Sequence, residues 1–312
     1  MKAVVVDPST DARLVLAEVA DPTPGAGDVV VGVRAFSLNR GEVRTALTEA
    51  GQGARPGWDF AGVVEQGAAD GSGPAVGTRV VGLAPAGAWV ERIATSPIMI
   101  AVLPDNVGFE AAASLPVAGL TALHALRKRS KLEGARVLVT GASGGVGVYG
   151  VQLAKHMGAK VTAAIRNPAH EGLVRQLGAE RVAIGADLAQ AAEGPFDLVL
   201  DGVGGQTLGA ALEMLAPGGT CVVFGASESA VTTFDAGKFR PGGTSLYGLY
   251  LGWELQFEPP AVGLAHLAQL VGEGALDPMV EVVRPWTEVA ETARDLMDRR
   301  YAGKAVLTVG QA

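Results

Sequence analysis

Residues 136–150 read RVLVTGASGGVGVYG, a succession that predicts a strand, a glycine-rich turn and a helix. The apolar run before the first glycine predicts a buried parallel strand, and the helix is predicted over Val146–Met157. Between them, Gly141, Gly144 and Gly147 let the chain turn tightly and let a phosphate approach the backbone. The first turn of the helix offers free N–H groups to an anion. The stretch therefore predicts a site for the pyrophosphate of a dinucleotide.

Composition limits the classes of partner. The chain has 312 residues, 48% of them apolar and 44 of them glycine, which suits two packed α/β domains. The net charge of −7 argues against a nucleic acid or an anionic membrane as partner. No apolar run approaches the roughly 20 residues of a membrane helix, and no signal-like segment begins the chain. We therefore expect a cytoplasmic protein that acts on a small molecule.

Metal chemistry is not expected. Cys221 is the only cysteine, and it lies inside an apolar run. The four histidines, His124, His156, His170 and His266, are far apart and lack the spacing of a zinc-binding helix. The sequence predicts no metal site.

Two regions of different texture predict two domains. Short apolar runs punctuated by Gly and Pro fill the first hundred or so residues and predict antiparallel strands of a barrel or sandwich. From about Ala135, strands and helices alternate, which predicts a parallel sheet. The last elements resemble the first domain again. We therefore predict a discontinuous domain (1–118 and 258–312) around a nucleotide-binding domain (119–257), with the cofactor in the cleft between them.

The predicted elements after the glycine turn are, in chain order, a strand over 160–165, a helix over 168–177, strands at RVAIG and DLVLD, a helix over 205–215, a strand at TCVVFG, a strand at SLYGLYLG, a helix over 261–273, a strand at MVEVV, a helix over 287–300 and a final strand at KAVLTV.

The end of the second parallel strand indicates which dinucleotide binds. An NAD site carries an acidic residue there for the ribose 2′-hydroxyl, whereas this chain has Arg166 and Asn167. A guanidinium can hold a 2′-phosphate through two charge-assisted hydrogen bonds. This position predicts NADPH, and the alternative is that Arg166 is simply a solvated residue. His170 and Arg175 either add positive potential or lie on an ordinary helix surface.

The motifs LPVAGLTALHAL, VLVTGASGGVG, DLVLDGVGG, APGGTCVVFG and GKAVLTV occur in an order that resembles the zinc-independent quinone oxidoreductase branch of the medium-chain dehydrogenase/reductases. The resemblance runs nearly end to end. It implies an α/β protein with a GroES-like β-barrel catalytic domain and a Rossmann doubly wound parallel-sheet domain that binds NADPH. It also implies a homodimer that pairs sheet edges through a strand near Ser245–Leu251.

The resemblance also assigns residues. Zinc members carry a cysteine and a G-H-E triplet where this chain has Asn39 and Gly57-Trp58-Asp59, so it too implies no zinc. The positions implied to contact the cofactor are Asn39 near the nicotinamide, Thr121 near its ribose or phosphate, Ser143, Gly144, Gly145 and Val146 at the pyrophosphate, Arg166 with the region of His170 at the 2′-phosphate, and Asp201, Gly202, Val203, Phe224, Gly225, Ala226, Tyr247, Gly248 and Leu249 along the cofactor. His170 stands where the family often has a lysine.

The implied chemistry is hydride transfer to an electron-poor C=C bond or a quinone, because no metal would polarise a carbonyl. Such a reaction needs a hydrogen-bond donor at the carbonyl oxygen and a proton source. Family members often have a tyrosine five residues after the asparagine, where this chain has Arg44. We expect Asn39 or Arg44 to supply the donor, and Tyr247, Tyr250 or a water molecule to supply the proton.

Structural roles are the alternative for each candidate. Asn39 could hold the turn after Ser37, Arg44 could pair with Glu42 or Glu49 on a solvated helix, the two tyrosines could pack at an interface, and Asp59 could fix the turn at Trp58. At the level of function, the alternative is a non-catalytic NADPH-binding structural or sensor protein. A short-chain dehydrogenase is set aside, because the TGxxxGxG motif lies far from the start and Tyr301–Lys304 is one residue short of Tyr-x-x-x-Lys.

Overall fold

A computed structural model describes residues 1–310, which form two compact units. One, here called the mixed-sheet unit, contains Met1–Leu120 and the chain from Glu258 onward. The other, the parallel-sheet unit, contains Thr121–Phe257. The boundary expected after residue 118 lies two residues before the observed one, and the boundary after residue 257 coincides with it.

The N-terminal part of the chain is built from short Val-rich strands. It comprises strands β1 (Lys2–Asp7), β2 (Arg13–Glu18), β3 (Val29–Ser37), β4 (Asp59–Gln66), β5 (Arg79–Leu83), β6 (Arg92–Thr95) and β7 (Ile100–Val102), and helices α1 (Arg40–Thr48), α2 (Phe109–Ala113) and α3 (Pro116–Leu126). A single 3₁₀ turn, Pro97–Met99, precedes β7. β1 and β2 form a separate antiparallel pair.

The parallel-sheet unit alternates strands and helices, as the sequence predicts. It comprises β8 (Arg136–Thr140), α4 (Gly145–His156), β9 (Lys160–Ile165), α5 (Glu171–Gln176), β10 (Arg181–Ile184), α6 (Leu188–Ala191), β11 (Phe196–Asp201), α7 (Gly205–Glu213), β12 (Leu215–Val223), α8 (Ala236–Phe239), β13 (Ser245–Gly248) and α9 (Leu251–Glu254). Two 3₁₀ turns span Pro168–His170 and Arg240–Gly242. The helix expected over 168–177 is therefore a 3₁₀ turn followed by α5.

All five strand pairings in this sheet are parallel, in the order β10-β9-β8-β11-β12-β13. The chain proceeds outward from β8 to β10 on one side and from β11 to β13 on the other. The carboxyl ends of β8 and β11 thus meet where the strand order reverses, which is where doubly wound sheets bind their ligands.

The C-terminal part returns to the mixed-sheet unit. It comprises α10 (Pro260–Gly272), β14 (Val280–Pro285), a 3₁₀ turn (Trp286–Glu288), α11 (Val289–Met297) and β15 (Lys304–Thr308). β15 pairs antiparallel with β3, and β14 pairs parallel with β15. The sheet order is β14-β15-β3-β4-β5-β7, with β6 also on β3. β15 thus brings the C-terminal part of the chain back to the sheet that contains β3.

Aromatic packing joins the two ends of the chain in the core of this unit. The rings of Phe36 and Trp89 are stacked with centroids 5.5 Å apart, and Trp286 meets Phe36 edge-on at 6.5 Å. All three side chains are buried. Burial of a side chain of this size contributes about 2 kcal/mol, so the C-terminal elements are held by the N-terminal core.

Helix α1, whose bounds the sequence did not predict, is fixed at both ends by arginines. The guanidinium of Arg13 donates to the carbonyls of Ala46 and Ala50 at the end of α1. Arg40, the first residue of α1, donates to the carbonyl of Met297 at the end of α11. Cations are favourable at helix C-termini because the last carbonyls lack partners. The start of α1, beside Asn39, therefore has a defined position.

One predicted strand is shorter than expected. The apolar run Ser245–Leu251 is extended only as far as Gly248, and α9 begins at Leu251. Short apolar runs fit strand and helix equally well, so periodicity could not locate this boundary. Among the described residues, each helix is too short or too polar to cross a lipid bilayer.

Candidate active site

The residues expected to contact the cofactor in the parallel-sheet unit gather at one edge of its sheet. They follow or end five strands: 141–147 follow β8, 166–170 follow β9, 201–203 end β11, 224–226 follow β12, and 247–249 end β13. Because all these strands are parallel, their carboxyl ends lie at the same edge. The structure brings these residues to one edge of the sheet, and their binding role stays a prediction.

The three glycines of the turn between β8 and α4 meet different requirements. Gly141 has φ +58°, which L residues rarely adopt. A β-carbon at Gly147 would lie 2.4 Å from the carbonyl oxygen of Gly141 and 2.7 Å from Cα of Ala142. Gly144 donates its N–H to the Gly141 carbonyl at 2.9 Å and closes the turn. α4 therefore packs directly on the turn that precedes it.

The start of α4 is open to an anion. Gly144 is its N-cap, and no side chain caps the helix. The first N–H groups of an α-helix lack intrahelical partners, and the positive end of the helix dipole lies beside them. Gly145 and Val146 are both partly exposed. These amides can receive a pyrophosphate oxygen.

A polar cluster at the end of β9 adjoins the glycine turn. Nδ1 of His170 lies 3.0 Å from Oγ of Ser143, so the turn after β9 contacts the turn after β8. Asn167 caps the 3₁₀ turn through its side chain, which accepts from the N–H of Ala169 at 3.0 Å. Arg166 is exposed and forms no ion pair or hydrogen bond with any other described residue. Its guanidinium is available to a ligand.

The side chain of Asp201 points into the protein instead. It accepts hydrogen bonds from Oγ1 of Thr140 at 2.6 Å and from the N–H of Gly204 at 2.9 Å. Burial raises the pKa of this carboxyl group, and the two hydrogen bonds oppose that shift. Asp201 thus joins the ends of β8 and β11, and its side chain shapes the edge rather than presenting a charge to a ligand.

Gly202 and Leu249, two further positions predicted to line the cofactor, also make contacts that hold the edge of the sheet together. Gly202 leaves room for Phe224, whose ring would lie 2.7 Å from a β-carbon at position 202. The N–H of Leu249 donates to the carbonyl of Val223 at 2.8 Å and extends the β12–β13 pairing. Thr121 lies in α3 with only 6% of its surface exposed.

Tyr247 is engaged in an ion-pair cluster. Its hydroxyl donates to Oε1 of Glu254 at 2.6 Å, and Nζ of Lys128 lies 2.7 Å from Oε2 of the same carboxylate. Lys128 also donates to the Tyr247 hydroxyl at 3.2 Å. Tyr250, by contrast, is 76% exposed. The hydroxyl of Tyr247 is therefore already engaged as a hydrogen-bond donor to a carboxylate, while Tyr250 lies on the surface.

A second polar cluster, here called the Asn39 cluster, lies inside the mixed-sheet unit. It consists of Ser37, Asn39, Glu42, Asp59 and Lys304. β3, the start of α1, β4 and β15 supply its members. Four of the five side chains are buried, and Asn39 is partly exposed.

The amide of Asn39 is fully engaged on its nitrogen side. Nδ2 donates to Oδ2 of Asp59 at 2.7 Å and to Oε1 of Glu42 at 2.9 Å, while Oδ1 accepts from Nζ of Lys304 at 2.6 Å. In the reverse orientation, the amide oxygen would lie against the carboxyl groups of Glu42 and Asp59, and the NH₂ group would lie against the ammonium of Lys304. Both amide hydrogens are used, so Asn39 offers a ligand an acceptor rather than the donor expected from the sequence.

The charges of the cluster fall into one ion pair and one neutral acid. Asp59 accepts from Oγ of Ser37 at 2.6 Å and from the N–H of Val117 at 3.0 Å, and Nζ of Lys304 lies 3.6 Å from it. Burial raises the pKa of Glu42 well above its ordinary value, and the charge of Asp59 raises it further. Oε2 of Glu42 is buried without a hydrogen-bond partner. Burial raises the pKa of Asp59 as well, but the charge of Lys304 and the hydrogen bonds from Ser37, Asn39 and Val117 oppose that shift. We therefore assign the negative charge to Asp59 and the proton to Glu42.

Arg44 lies on the exposed face of α1. It forms no ion pair with Glu42 or Glu49, because Glu42 points to the opposite, buried side. Among the described residues, Arg44 therefore does not form the salt bridge with Glu42 or Glu49 that was the alternative suggested by the sequence. The structure leaves the guanidinium exposed to solvent.

Sequence reasoning missed Glu42 and Lys304. Glu42 had a readable signal, because Asn39-x-x-Glu42 has the spacing of a capping box, and the N–H of Asn39 does donate to Glu42 at 2.8 Å. Lys304 begins a strand at the far end of the chain and carries no comparable signal. No group of three or more potential metal-ligating His, Cys, Asp or Glu side chains occurs within the described part of the chain. The predicted absence of zinc stays a prediction.

Comparisons with known proteins agree with this architecture. A family model described as zinc-binding dehydrogenase matches residues 145–266. The quinone oxidoreductase from Thermus thermophilus, also solved with NADPH, is 33% identical, with a TM-score of 0.84 over 99% of this chain and 100% of that one. The enoyl reductase CurK is 26% identical, with a TM-score of 0.85 over 99% of both chains.

A curated relative is much longer. The spectinabilin polyketide synthase system protein NorB from Streptomyces orinoci is 35% identical over 92% of this chain, which spans only 13% of that protein. Together, the strand order, the glycine turn and these similarities identify the family. The chain belongs to the medium-chain dehydrogenase/reductase superfamily.

Proposed function

We propose that this protein is an NADPH-dependent, zinc-independent reductase that transfers hydride to an electron-poor acceptor, either the C=C bond of an α,β-unsaturated carbonyl compound or a quinone. The observation that supports it best is the unpaired Arg166 at the end of β9, next to the open start of α4. A strand end without a carboxylate favours a 2′-phosphate over a free ribose hydroxyl. The similar quinone oxidoreductase from Thermus thermophilus was solved with NADPH.

The cofactor would be held by two anion sites on the parallel-sheet unit. The pyrophosphate would contact the amides of Gly145 and Val146 and the hydroxyl of Ser143. The 2′-phosphate would contact Arg166, with His170 beside it through its hydrogen bond to Ser143. The remaining predicted positions along the carboxyl edge would line the cofactor.

The chemistry requires little of the protein beyond positioning and a polar contact. NADPH, when bound, supplies a hydride that adds to the β-carbon of an enone, and the electron pair of the C=C bond shifts towards the carbonyl oxygen. Asn39 would contact the nicotinamide carboxamide, because its Oδ1 can accept a further hydrogen bond while its N–H groups are occupied. A water molecule would then protonate the α-carbon, and Arg44 would supply the donor to the developing oxyanion.

Tyr247 and Tyr250 remain the protein's alternative proton donors. Tyr247 would need to break its 2.6 Å hydrogen bond to Glu254 before it could act, whereas Tyr250 has no such partner among the described residues. Replacement of each tyrosine by phenylalanine would distinguish them from water, since only a direct donor would lower kcat strongly.

The test of the proposed reaction is consumption of NADPH with a panel of 1,4-quinones, cyclic enones and enoyl thioesters. We expect at least one conjugated acceptor to be reduced, and its saturated ketone analogue to be inert. If NADPH binds and no acceptor in the panel is turned over, the protein is instead a non-catalytic NADPH-binding protein. Two observations favour this second function: the N–H groups of Asn39 are occupied, and the hydroxyl of Tyr247 is engaged as a donor to Glu254.

The cofactor preference has a separate test. Arg166→Ala removes a charged contact to the 2′-phosphate, so we expect NADPH to bind about tenfold to a hundredfold more weakly while NADH binding is unchanged. Arg175→Ala is the matched control, because Arg175 is paired with Glu171 at 2.8 Å. An equal loss for NADPH and NADH, or no loss, would refute the role of Arg166.

We also propose a homodimer through the edge of the parallel sheet. Among the described residues, β13 is the last strand on its side of the sheet, and one row of its backbone groups has no strand partner there. Large apolar side chains on β13 and α9 are exposed, namely Leu246 (45%), Tyr250 (76%), Trp253 (52%) and Phe257 (71%). Light scattering should give twice the chain mass for the wild type and the chain mass for Leu246→Lys. A monomeric wild type would exclude this dimer.

A further inference from the structure

Trp58 is a large aromatic side chain left partly exposed between two buried neighbours. Gly57 and Asp59 are both buried, whereas Trp58 is only half-buried. Two of the other three tryptophans, Trp89 and Trp286, are buried in the core of the same unit. Its exposure is therefore not the general pattern for tryptophan in this unit.

The backbone around Trp58 is fixed. The Trp58 carbonyl accepts from the N–H of Ala84 at 2.7 Å. Gly57 has φ +113°, and a β-carbon there would lie 2.4 Å from the backbone nitrogen of Trp89. The next residue, Asp59, is held by hydrogen bonds from Ser37, Asn39 and Val117. The indole ring therefore projects from a rigid segment and not from a loose loop.

The ring lies against the start of α1. A β-carbon placed on Gly41 would be 3.4 Å from Cη2 and 3.6 Å from Cζ3 of Trp58, so the benzo edge of the indole packs on a position that has no side chain. Gly41 is two residues after Asn39, and Trp58 adjoins Asp59, which binds the Asn39 amide. The indole thus flanks the one member of the Asn39 cluster that is partly exposed.

The polar edge of the same ring has no hydrogen-bond partner within residues 1–310. Nε1 of Trp58 donates to no acceptor among the described residues, unlike Nε1 of Trp89, which donates to the carbonyl of Ser37. A partly exposed tryptophan whose N–H has no partner among the described residues suits contact with a flat conjugated ligand. Neither Asn39 nor Glu42 offers an exposed donor to a ligand's carbonyl oxygen. Both side-chain N–H groups of Asn39 are occupied, and the carboxyl group of Glu42 is buried.

We propose that Trp58 is the aromatic wall of the acceptor site, on which a planar conjugated carbonyl compound stacks beside Asn39. This inference rests on the proposed reductase function. It gives a substrate-binding role to Trp58, which is not one of the residues proposed to bind the cofactor.

Binding of an acceptor without NADPH tests the wall directly. Quinones quench tryptophan fluorescence on contact, so 1,4-naphthoquinone should quench the wild type with a saturable component. Trp58→Leu should lose that component, Trp58→Phe should still bind in a competition titration, and Trp253→Phe, which alters an exposed tryptophan of the parallel-sheet unit, should keep it. Persistence of the saturable component in Trp58→Leu would overturn the proposal.

Turnover provides the second measurement. Trp58→Leu should raise the KM for 1,4-naphthoquinone about tenfold and leave the Kd for NADPH unchanged, and Trp58→Phe should restore most of the loss because the stacking surface remains. Melting temperatures of both variants show whether they are folded. An unchanged KM in Trp58→Leu would refute the wall while the reductase function stands. Saturable quenching without turnover of any acceptor would support the wall and refute the reductase.

Discussion

Among single residues, Asn39 had a predictable position but an unpredictable amide orientation. Its position after Ser37 and its resemblance to family members indicate a role near the nicotinamide. The direction of its amide depends on Glu42, Asp59 and Lys304, which come from three separate segments. That direction determines whether Asn39 can donate or accept, and it could not be predicted from a chain without knowing which strands are adjacent.

Lys304 should be important for stability, because it is the cation of a buried ion pair. Lys304→Met would leave the Asp59 carboxylate buried without its counter-charge, and removal of one partner of such a pair costs about 3 to 5 kcal/mol. Urea unfolding monitored by circular dichroism measures this loss. Lys160→Met, at the exposed start of β9, is the control and should change the free energy of unfolding by less than about 0.5 kcal/mol. Similar losses in the two variants would contradict the assigned pair.

Glu42 gives the unfolding free energy a specific dependence on pH. Burial raises the pKa of Glu42 above its ordinary value of 4.5 in the folded state. The resulting stabilisation is fully present below pH 4.5 and is lost as the pH rises through the raised pKa. Glu42→Gln keeps an oxygen acceptor for Asn39 but cannot titrate.

The melting temperature of Glu42→Gln minus that of the wild type should therefore increase as the pH rises from 4.5 to 8. Differential scanning calorimetry of both proteins across this range measures the difference, in which the titrations of Asp59 and Lys304 largely cancel. A constant difference between the two proteins would show that Glu42 does not hold a proton in the folded state.

At the scale of elements, the strands and helices of the parallel sheet were predictable because their apolar runs are bounded by glycine and polar turns. The edge predicted to bind the cofactor followed from them, because parallel strands bring their carboxyl ends together. The bounds of α1 escaped prediction because its sequence, RGEVRTALT, has few apolar residues, and only Val43 and Ala46 among its apolar side chains are buried. The tertiary contacts of Arg13 and Arg40 stabilise it instead.

The turn between β8 and α4 should tolerate no side chain at Gly147. Gly147→Ala would bring a methyl group within 2.4 Å of a backbone oxygen, so the helix start must move away from the turn. We expect a loss of about 2 kcal/mol or more in stability and at least a tenfold weaker affinity for NADPH, measured by calorimetry. Gly172→Ala in α5 meets open space and should be neutral or slightly stabilising. Full NADPH affinity in Gly147→Ala would contradict the anion site.

At the scale of the whole molecule, the two units differ in how far the sequence revealed them. The parallel-sheet unit is continuous in sequence, and its motifs follow its topology. The mixed-sheet unit is assembled from both ends of the chain, and its polar cluster joins residues as distant as Asp59 and Lys304. The strand-like end of the chain made it possible to predict that this unit is discontinuous in sequence. The Asn39 cluster could be recognised only once the pairing of β15 with β3 was known.

The proposed reaction is the transfer of a hydride from NADPH to a conjugated acceptor. The most direct measurement uses NADPH deuterated at C4 on either face, mixed with the protein and 2-cyclohexenone, followed by NMR of the product. We expect cyclohexanone with one deuterium at the β-carbon from one of the two labelled cofactors, and hydrogen from water at the α-carbon. If neither labelled cofactor delivers deuterium to any reduced acceptor of the panel, the account is contradicted.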